Sequence, residues 1–236
     1  MPVGNPVDGS VAVLIILLSL GFSLGAYLAR LLNAEGAVAS AAVGLIVGFL
    51  GSLQWLLVIM AFTLLGFVAT ISGISKKKER GLQEGKSGER GAKNVLGVSI
   101  PCVVVAFMGL IPGVDPTLAS IAFISAISVA AADTAASEIG VKSERVRLIT
   151  NMERVSAGTD GGISLFGSAV ALFGAAVATT IGWLLVFGTT INALVLVPIV
   201  AGFAGCMMDS LLGATIEARG LISKYTNNAL TGIFGE

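Results

Sequence analysis

Histidine is absent from this 236-residue chain, and cysteine occurs only twice. The first absence removes histidine general bases and histidine-ligated zinc from consideration. Cys102 and Cys206 both lie inside apolar runs, where they read as small core residues rather than a disulfide or a metal site. Charge is scarce as well. Asp, Glu, Lys and Arg make up 12% of the chain, against about a quarter in a soluble domain. Fourteen basic and fourteen acidic residues cancel, so no nucleic-acid partner is implied. No Lys or Arg precedes the first apolar run and no clean cleavage site follows it, which argues against a signal peptide.

What remains is hydrophobic. Apolar residues form 55% of the chain, mean hydropathy is +0.95, and the 31 glycines suit helices that approach one another closely in a bilayer. A span needs about 20 apolar residues. Seven stretches qualify, at about 11–32, 36–51, 53–74, 95–111, 117–132, 163–187 and 190–208, the second short enough to be re-entrant. The chain therefore reads as all-α, a polytopic transmembrane bundle forming a single integral membrane domain over 1–236.

The basic residues set the expected orientation. Seven lie in 75–94, four in 133–160 (Lys142, Arg145, Arg147, Arg154), two in the tail (Arg219, Lys224), and Arg30 closes the first span. With seven spans all of them fall on one side. The positive-inside rule makes that side cytoplasmic, with the N-terminus outside and the C-terminus inside. The cytoplasmic segments are then about 75–94, 133–160 and 209–236. The Lys76–Lys78 run reads as a topology and anionic-lipid signal.

Most other polar chemistry gathers on the same side, while the span middles are almost purely apolar. A carrier or pore needs polar groups at mid-membrane, so a small transporter is disfavoured. The pattern suits an enzyme working where a lipid head group meets a soluble cosubstrate.

Three motifs carry that chemistry. The first runs from Asp133 through Thr134, Ser137 and Glu138 to Gly140. Helical spacing puts Asp133 with Ser137 on one face and Thr134 with Glu138 on a neighbouring one. A carboxylate among alanines is a good hard-cation ligand, and Mg²⁺ takes carboxylates together with water and phosphate oxygens. The second, Gly158-Thr159-Asp160-Gly161-Gly162-Ile163-Ser164, has glycines before a helix start. It reads either as a phosphate cradle of backbone N–H groups or as plain N-capping by Thr159 or Asp160. In the third, Gly202, Gly205, Asp209, Gly213 and Glu217 form one helical stripe of small residues leading to two acids.

Taken together, Asp-Thr-Ala-Ala-Ser-Glu-Ile-Gly (133–140), Gly-Thr-Asp-Gly-Gly-Ile-Ser (158–164) and Asp-Ser-Leu-Leu-Gly-Ala-Thr (209–215) resemble the signature blocks of the phytyl-phosphate kinase family. That family includes the plant chloroplast enzyme of vitamin E synthesis. The segment Thr226–Leu230 resembles its C-terminal Asn-containing block. The chain departs from the family's pattern before the fourth span, where Arg90 and Asn94-Val95 match but a later Asn-Gly block is absent, and at Asp160, where Asn is usual. A looser likeness extends to dolichol kinase, phytol kinase and CDP-diacylglycerol synthase.

The resemblance implies a membrane kinase that converts an isoprenyl monophosphate, such as phytyl or geranylgeranyl phosphate, to the diphosphate. CTP is the implied phosphoryl donor and Mg²⁺ the implied cofactor. Asp133, Asp209 and Glu138 are the expected metal ligands, with Arg90 also in the catalytic set. Thr159, Asp160, Gly161, Gly162, Arg147, Arg154 and Ser210 are the expected nucleotide and phosphate contacts. Asn94, Ser137, Glu138 and Asn228 are expected to contact substrate or support the site. The alternatives are a CTP-dependent cytidylyltransferase or a polyprenol kinase. The expected location is a prokaryotic plasma membrane, with the site facing the cytoplasm.

Overall fold

The computed structural model describes residues 7–79 and 89–235. The side chains of the 76–78 lysine run, together with Arg80, Lys86 and Gly88, lie outside that description. Eight helices are described: α1 (Gly9–Leu28), α2 (Ala34–Ile46), α3 (Leu53–Glu79), α4 (Ala92–Met108), α5 (Pro116–Glu138), α6 (Leu165–Phe187), α7 (Leu196–Leu212) and α8 (Lys224–Phe234). A π-helical turn at Val47–Gly51 extends α2, and a second at Gly213–Glu217 extends α7.

Six of these segments are long and apolar enough to cross a membrane, and α4 is a shorter apolar helix of 17 residues. The seven expected spans correspond one to one with α1 to α7. Local chemistry sets the boundaries. Asp115 accepts hydrogen bonds from the N–H groups of Thr117 and Leu118 at 2.7 and 3.2 Å, and Pro116 supplies the fixed φ favoured at a first helical position. Those bonds hold the Asp115 carboxyl below its ordinary range. Asn33 and Ser164 cap α2 and α6 in the same way.

Helix α5 is the buried centre, packed against α3, α4, α6, α7 and α8. Its outer half is apolar, with Phe123 stacked on Trp55 of α3 at 4.3 Å. Midway, Thr179 of α6 donates to Ser128, which donates in turn to the Ala175 carbonyl. Hydrocarbon offers no substitute partner for such hydroxyls, so they bond between helices.

Two features were not expected. A three-stranded antiparallel sheet, ordered β2-β1-β3, lies between α5 and α6: β1 is Val146–Leu148, β2 Arg154–Val155 and β3 Gly162–Ile163. Arg147 pairs with Arg154 and Leu148 with Gly162. Helix α8 folds back against α4 and α7. Both lie at the same end of the bundle as Arg30, Lys93, Lys142 and Arg219. The opposite end holds 109–115 and 188–192.

The charge bias predicts which end faces the cytoplasm. A cysteine placed at Thr189 is expected to react with an impermeant thiol reagent in intact cells. One at Arg145 is expected to react only after permeabilisation. The reverse pattern overturns the orientation.

Candidate functional site

The end of the bundle that gathers the basic residues contains a cavity of about 310 Å³. Three walls meet there, and each carries one of the three motifs. The end of α5 contributes Asp133, Ser137 and Gly140. The segment leading into α6 contributes Gly158 to Ser164, followed by Gly167 and Ser168 of the helix itself. The end of α7 contributes Cys206, Asp209, Ser210, Gly213 and Glu217, and Lys224 at the start of α8 completes the lining.

The glycine segment is shaped by packing as well as by its freedom. Gly161 has φ +74°, and a β-carbon there would lie 2.7 Å from both the Cα and the N of Ala214 in the π turn. Its carbonyl accepts the Ile149 N–H at 3.0 Å. At Gly162 a β-carbon would lie 2.8 Å from the Thr159 carbonyl oxygen and from Val146. The loop therefore docks directly onto the end of α7 and the β1 strand. Thr159 spends its hydroxyl on the Ser156 carbonyl at 2.8 Å. The N-cap of α6 is Ser164, whose oxygen accepts from the Gly167 N–H at 2.9 Å, and not Thr159 or Asp160. A helix leaves its first N–H groups without intrahelical partners, and the positive end of the α6 dipole adjoins the cavity.

Among the described residues, four carboxyl groups, those of Asp133, Asp160, Asp209 and Glu217, and one ammonium group, that of Lys224, line the cavity. Asn227 is fully buried and braces this wall. Its amide donates to the Asp209 carbonyl and to Glu217 Oε2, both at 3.0 Å. With its amide nitrogen turned towards acceptors, Asn228 donates to the Lys224 carbonyl at 3.0 Å and to Asp209 Oδ1 at 3.3 Å.

Of the residues expected from sequence, the cavity brings together Asp133, Ser137, Thr159, Asp160, Gly161, Gly162, Asp209 and Ser210, with Asn228 touching Asp209 from behind. The others lie elsewhere. Glu138 faces α3, where its Oε1 sits 3.4 Å from Arg90 Nη2 and accepts from Thr70 at 3.2 Å. Arg90 also donates to Thr70 at 2.9 Å. Arg90 and Asn94 line a separate cavity. Arg147 is exposed and donates to the Met152 carbonyl, and Arg154 is exposed on β2. Among the described residues no group of three or more acids and cysteines forms a ready-made metal cluster.

Sequence reasoning left Lys224, Ser164 and Asn227 unassigned, and it placed Glu217 on the stripe without a role. The stripe spacing was the signal for Glu217. Lys224 had none beyond its charge, because Gly220 at φ +71° and the π turn bring it to the cavity.

A family model described as "Integral membrane protein DUF92" matches residues 17–231. The chain belongs to this family. Relatives of this DUF92 chain include an uncharacterized membrane protein of Methanocaldococcus jannaschii, 34% identical over 207 residues that cover 87% of this chain and 83% of the relative. An uncharacterized membrane protein of Synechocystis is 27% identical over 183 residues, covering 75% and 68%. A protein of Arabidopsis thaliana named "Protein VTE6, chloroplastic" is 27% identical over 195 residues, covering 78% of this chain and 58% of the plant protein. No solved structure matches the chain.

The packing of Gly161 sets an expectation for stability. Gly161→Val adds a left-handed strain and a clash with the α7 end, and should cost roughly 2–5 kcal/mol. Gly220, at φ +71° with open space around it, should cost only about 1–2 kcal/mol as Gly220→Ala. Melting in detergent checks the ordering, and equal shifts contradict the docking of the loop on Ala214.

Proposed function

We propose that this DUF92 protein is a membrane kinase that transfers the terminal phosphoryl group of a nucleoside triphosphate, CTP by resemblance, to an isoprenyl monophosphate. The observation that carries this reading is the convergence of the three motifs on one cavity at the bundle end. Four acids, a helix N-terminus, a glycine loop and a lysine meet there at the edge of the apolar spans. The motif resemblance to phytyl-phosphate kinases supports the lipid substrate class. The cytoplasmic orientation proposed from the charge bias places the cavity where soluble nucleotide is available.

Phosphoryl transfer demands positioning and charge neutralisation more than covalent catalysis. An oxygen of the acceptor phosphate bonds to the γ-phosphorus, the bond to the β–γ bridging oxygen breaks, and the nucleoside diphosphate leaves with that electron pair. The acceptor is already ionised at neutral pH, so no strong general base is required. Four carboxyl groups around the cavity would repel a polyphosphate unless a cation intervened. Asp133 and Asp209 are hard oxygen donors on facing walls and fit Mg²⁺, which takes one or two carboxylates and completes its shell with water and phosphate oxygens. Bound there, Mg²⁺ would neutralise charge on the transferring group. Lys224 holds a phosphate by a charge-assisted hydrogen bond, the role first expected of Arg147 and Arg154. The start of α6 supplies further N–H donors.

The purified protein with Mg²⁺, CTP and phytyl or geranylgeranyl phosphate is expected to yield the lipid diphosphate and CDP. Pyrophosphate with a CDP-lipid would instead mark a cytidylyltransferase, and absence of turnover with any nucleoside triphosphate defeats the kinase reading. Asp133→Asn and Asp209→Asn should each lower turnover by about 10²–10³-fold with little change in melting. Lys224→Ala should raise the nucleotide KM, whereas Arg147→Ala should behave like the parent. Loss of activity in Arg147→Ala with Lys224→Ala unaffected would return the phosphate site to the arginines.

A further inference from the structure

We propose that the cavity enclosed by α1, α2, α3 and α4 binds a neutral long-chain amphiphile with a single small hydroxyl head, lodged head-first against Ser19 and Ser23. This cavity is distinct from the acidic one, and the proposal does not rest on the kinase reading. Helix α5 separates the two, turning Asp133 and Ser137 to the acidic cavity and Glu138 to Arg90.

The first observation is a pair of hydroxyls with nothing to bond. Ser19 and Ser23 are each only 3% exposed, and neither Oγ has a hydrogen-bond partner among the described residues. They stand four residues apart on one face of α1, and both line the cavity. A helical serine commonly closes onto a carbonyl of the preceding turn. Thr63 does so across the same space, donating to the Ile59 carbonyl at 2.7 Å. The two serines do not, and buried hydroxyls left unmade are costly. Gly44 keeps the space open, since a β-carbon there would lie 2.9 Å from Ser19 Oγ.

The charge balance fixes the sign of the ligand. Among the described residues, Arg90 is the one charged residue lining the cavity, and Glu138 with Thr70 already holds its guanidinium. An anionic head would have to compete with that pair, while a neutral head meets no opposition. Size limits the head further. The cavity is about 60 Å³, and about 660 Å³ when the space open to its surroundings is included. The smaller figure holds only a few water-sized groups, which suits a hydroxyl rather than a phosphodiester or a sugar.

The wall supplies the rest of the recognition. Leu56, Ile59, Phe62 and Phe67 line one side along α3. Each of these side chains is less than a tenth exposed, so they close the inner wall of the cavity, and a long chain has to leave it for the bilayer. Ser19, Ser23 and this wall lie within membrane spans. The occupant is therefore delivered by the bilayer, and a lipid-soluble alcohol satisfies the hydroxyls while its chain stays among the lipids.

The test uses the full-length protein in detergent and a hexadecan-1-ol carrying a diazirine in its chain, with labelled peptides mapped by mass spectrometry. Label is expected in α1 and α3, and free hexadecan-1-ol should compete about tenfold better than hexadecane or hexadecyl phosphate. Ser19→Ala with Ser23→Ala should cut labelling about five-fold while leaving the melting temperature equal or higher, because it removes two unmade hydroxyls. Should the double variant fail to fold, Ser23→Ala alone gives the same reading. The proposal is overturned by background labelling of α1 and α3, by hexadecyl phosphate competing as well as the alcohol, or by undiminished labelling of the serine variants. The first of these results leaves a cavity holding water only.

Discussion

Hydrocarbon offers no hydrogen bond and no solvation to a polar group, and the layout of this chain follows from that deficit. The backbone of each span is satisfied inside its own helix. Mid-span hydroxyls are few and bond across helices, as Ser128 and Thr179 do at 3.1 Å. Charged groups cannot be kept at depth without partners, so they collect where the helices end. Seven apolar helices alternate in direction, and the acids of α5 and α7 consequently meet at one end, although they are 76 positions apart in the chain (209 − 133). An acidic cavity at the end of the bundle is thus a consequence of span polarity and of where the acidic turns fall.

Helix α5 does more than supply Asp133. Its last turns are built from Ala131, Ala132, Ala135 and Ala136 between the polar residues. The small side chains admit α6 closely. At Gly174 of α6, a β-carbon would lie 2.8 Å from Ala135 Cβ and 2.9 Å from the Ala131 carbonyl oxygen. That close approach places the start of α6 beside Asp133, so the dipole of one helix faces a carboxyl of another. The adjacent face of α5 carries Glu138, whose bond to Arg90 ties α5 to the segment before α4. Arg90 is itself anchored by backbone, donating its N–H to the Leu31 carbonyl and accepting from the Asn33 N–H. The four polar motif positions 133, 134, 137 and 138 thus serve two purposes on adjacent faces of the helix.

The spans were legible because hydropathy over twenty residues is a strong signal, and α1 to α7 follow it. The acidic and glycine motifs were legible because i, i+4 spacing survives folding: Asp133 with Ser137, and Asp209 with Gly213 and Glu217, remain on common faces. What sequence could not reveal depends on contacts between distant segments. Arg147 and Arg154 lie close to the motifs in sequence, but the pairing of β1 with β2 turns them outward, whereas Lys224 arrives from 15 residues beyond Asp209 (224 − 209). The strands themselves are two or three residues long, below the length at which alternation can be recognised. Helix α8 has too few apolar residues for a span and is too short to stand out as a helix alone.

The π turn at the end of α7 explains why the acidic wall is so dependent on the tail. A π-helical turn interrupts the regular i to i−4 ladder. The Asp209 carbonyl, which accepts the Gly213 N–H, also receives the Asn227 amide at 3.0 Å, and the same nitrogen reaches Glu217 at 3.0 Å. One buried side chain of α8 thereby joins Asp209, a turn before the π segment, to that segment's last residue. Ala214, within that turn, is the surface on which Gly161 docks. The bracing therefore runs from α8 through the π turn to the glycine loop and on to the cap of α6, so the second and third motifs are set by one continuous contact path. The polar tail, far from the first acid in sequence, is for this reason part of the site's framework rather than an appendage to the last span.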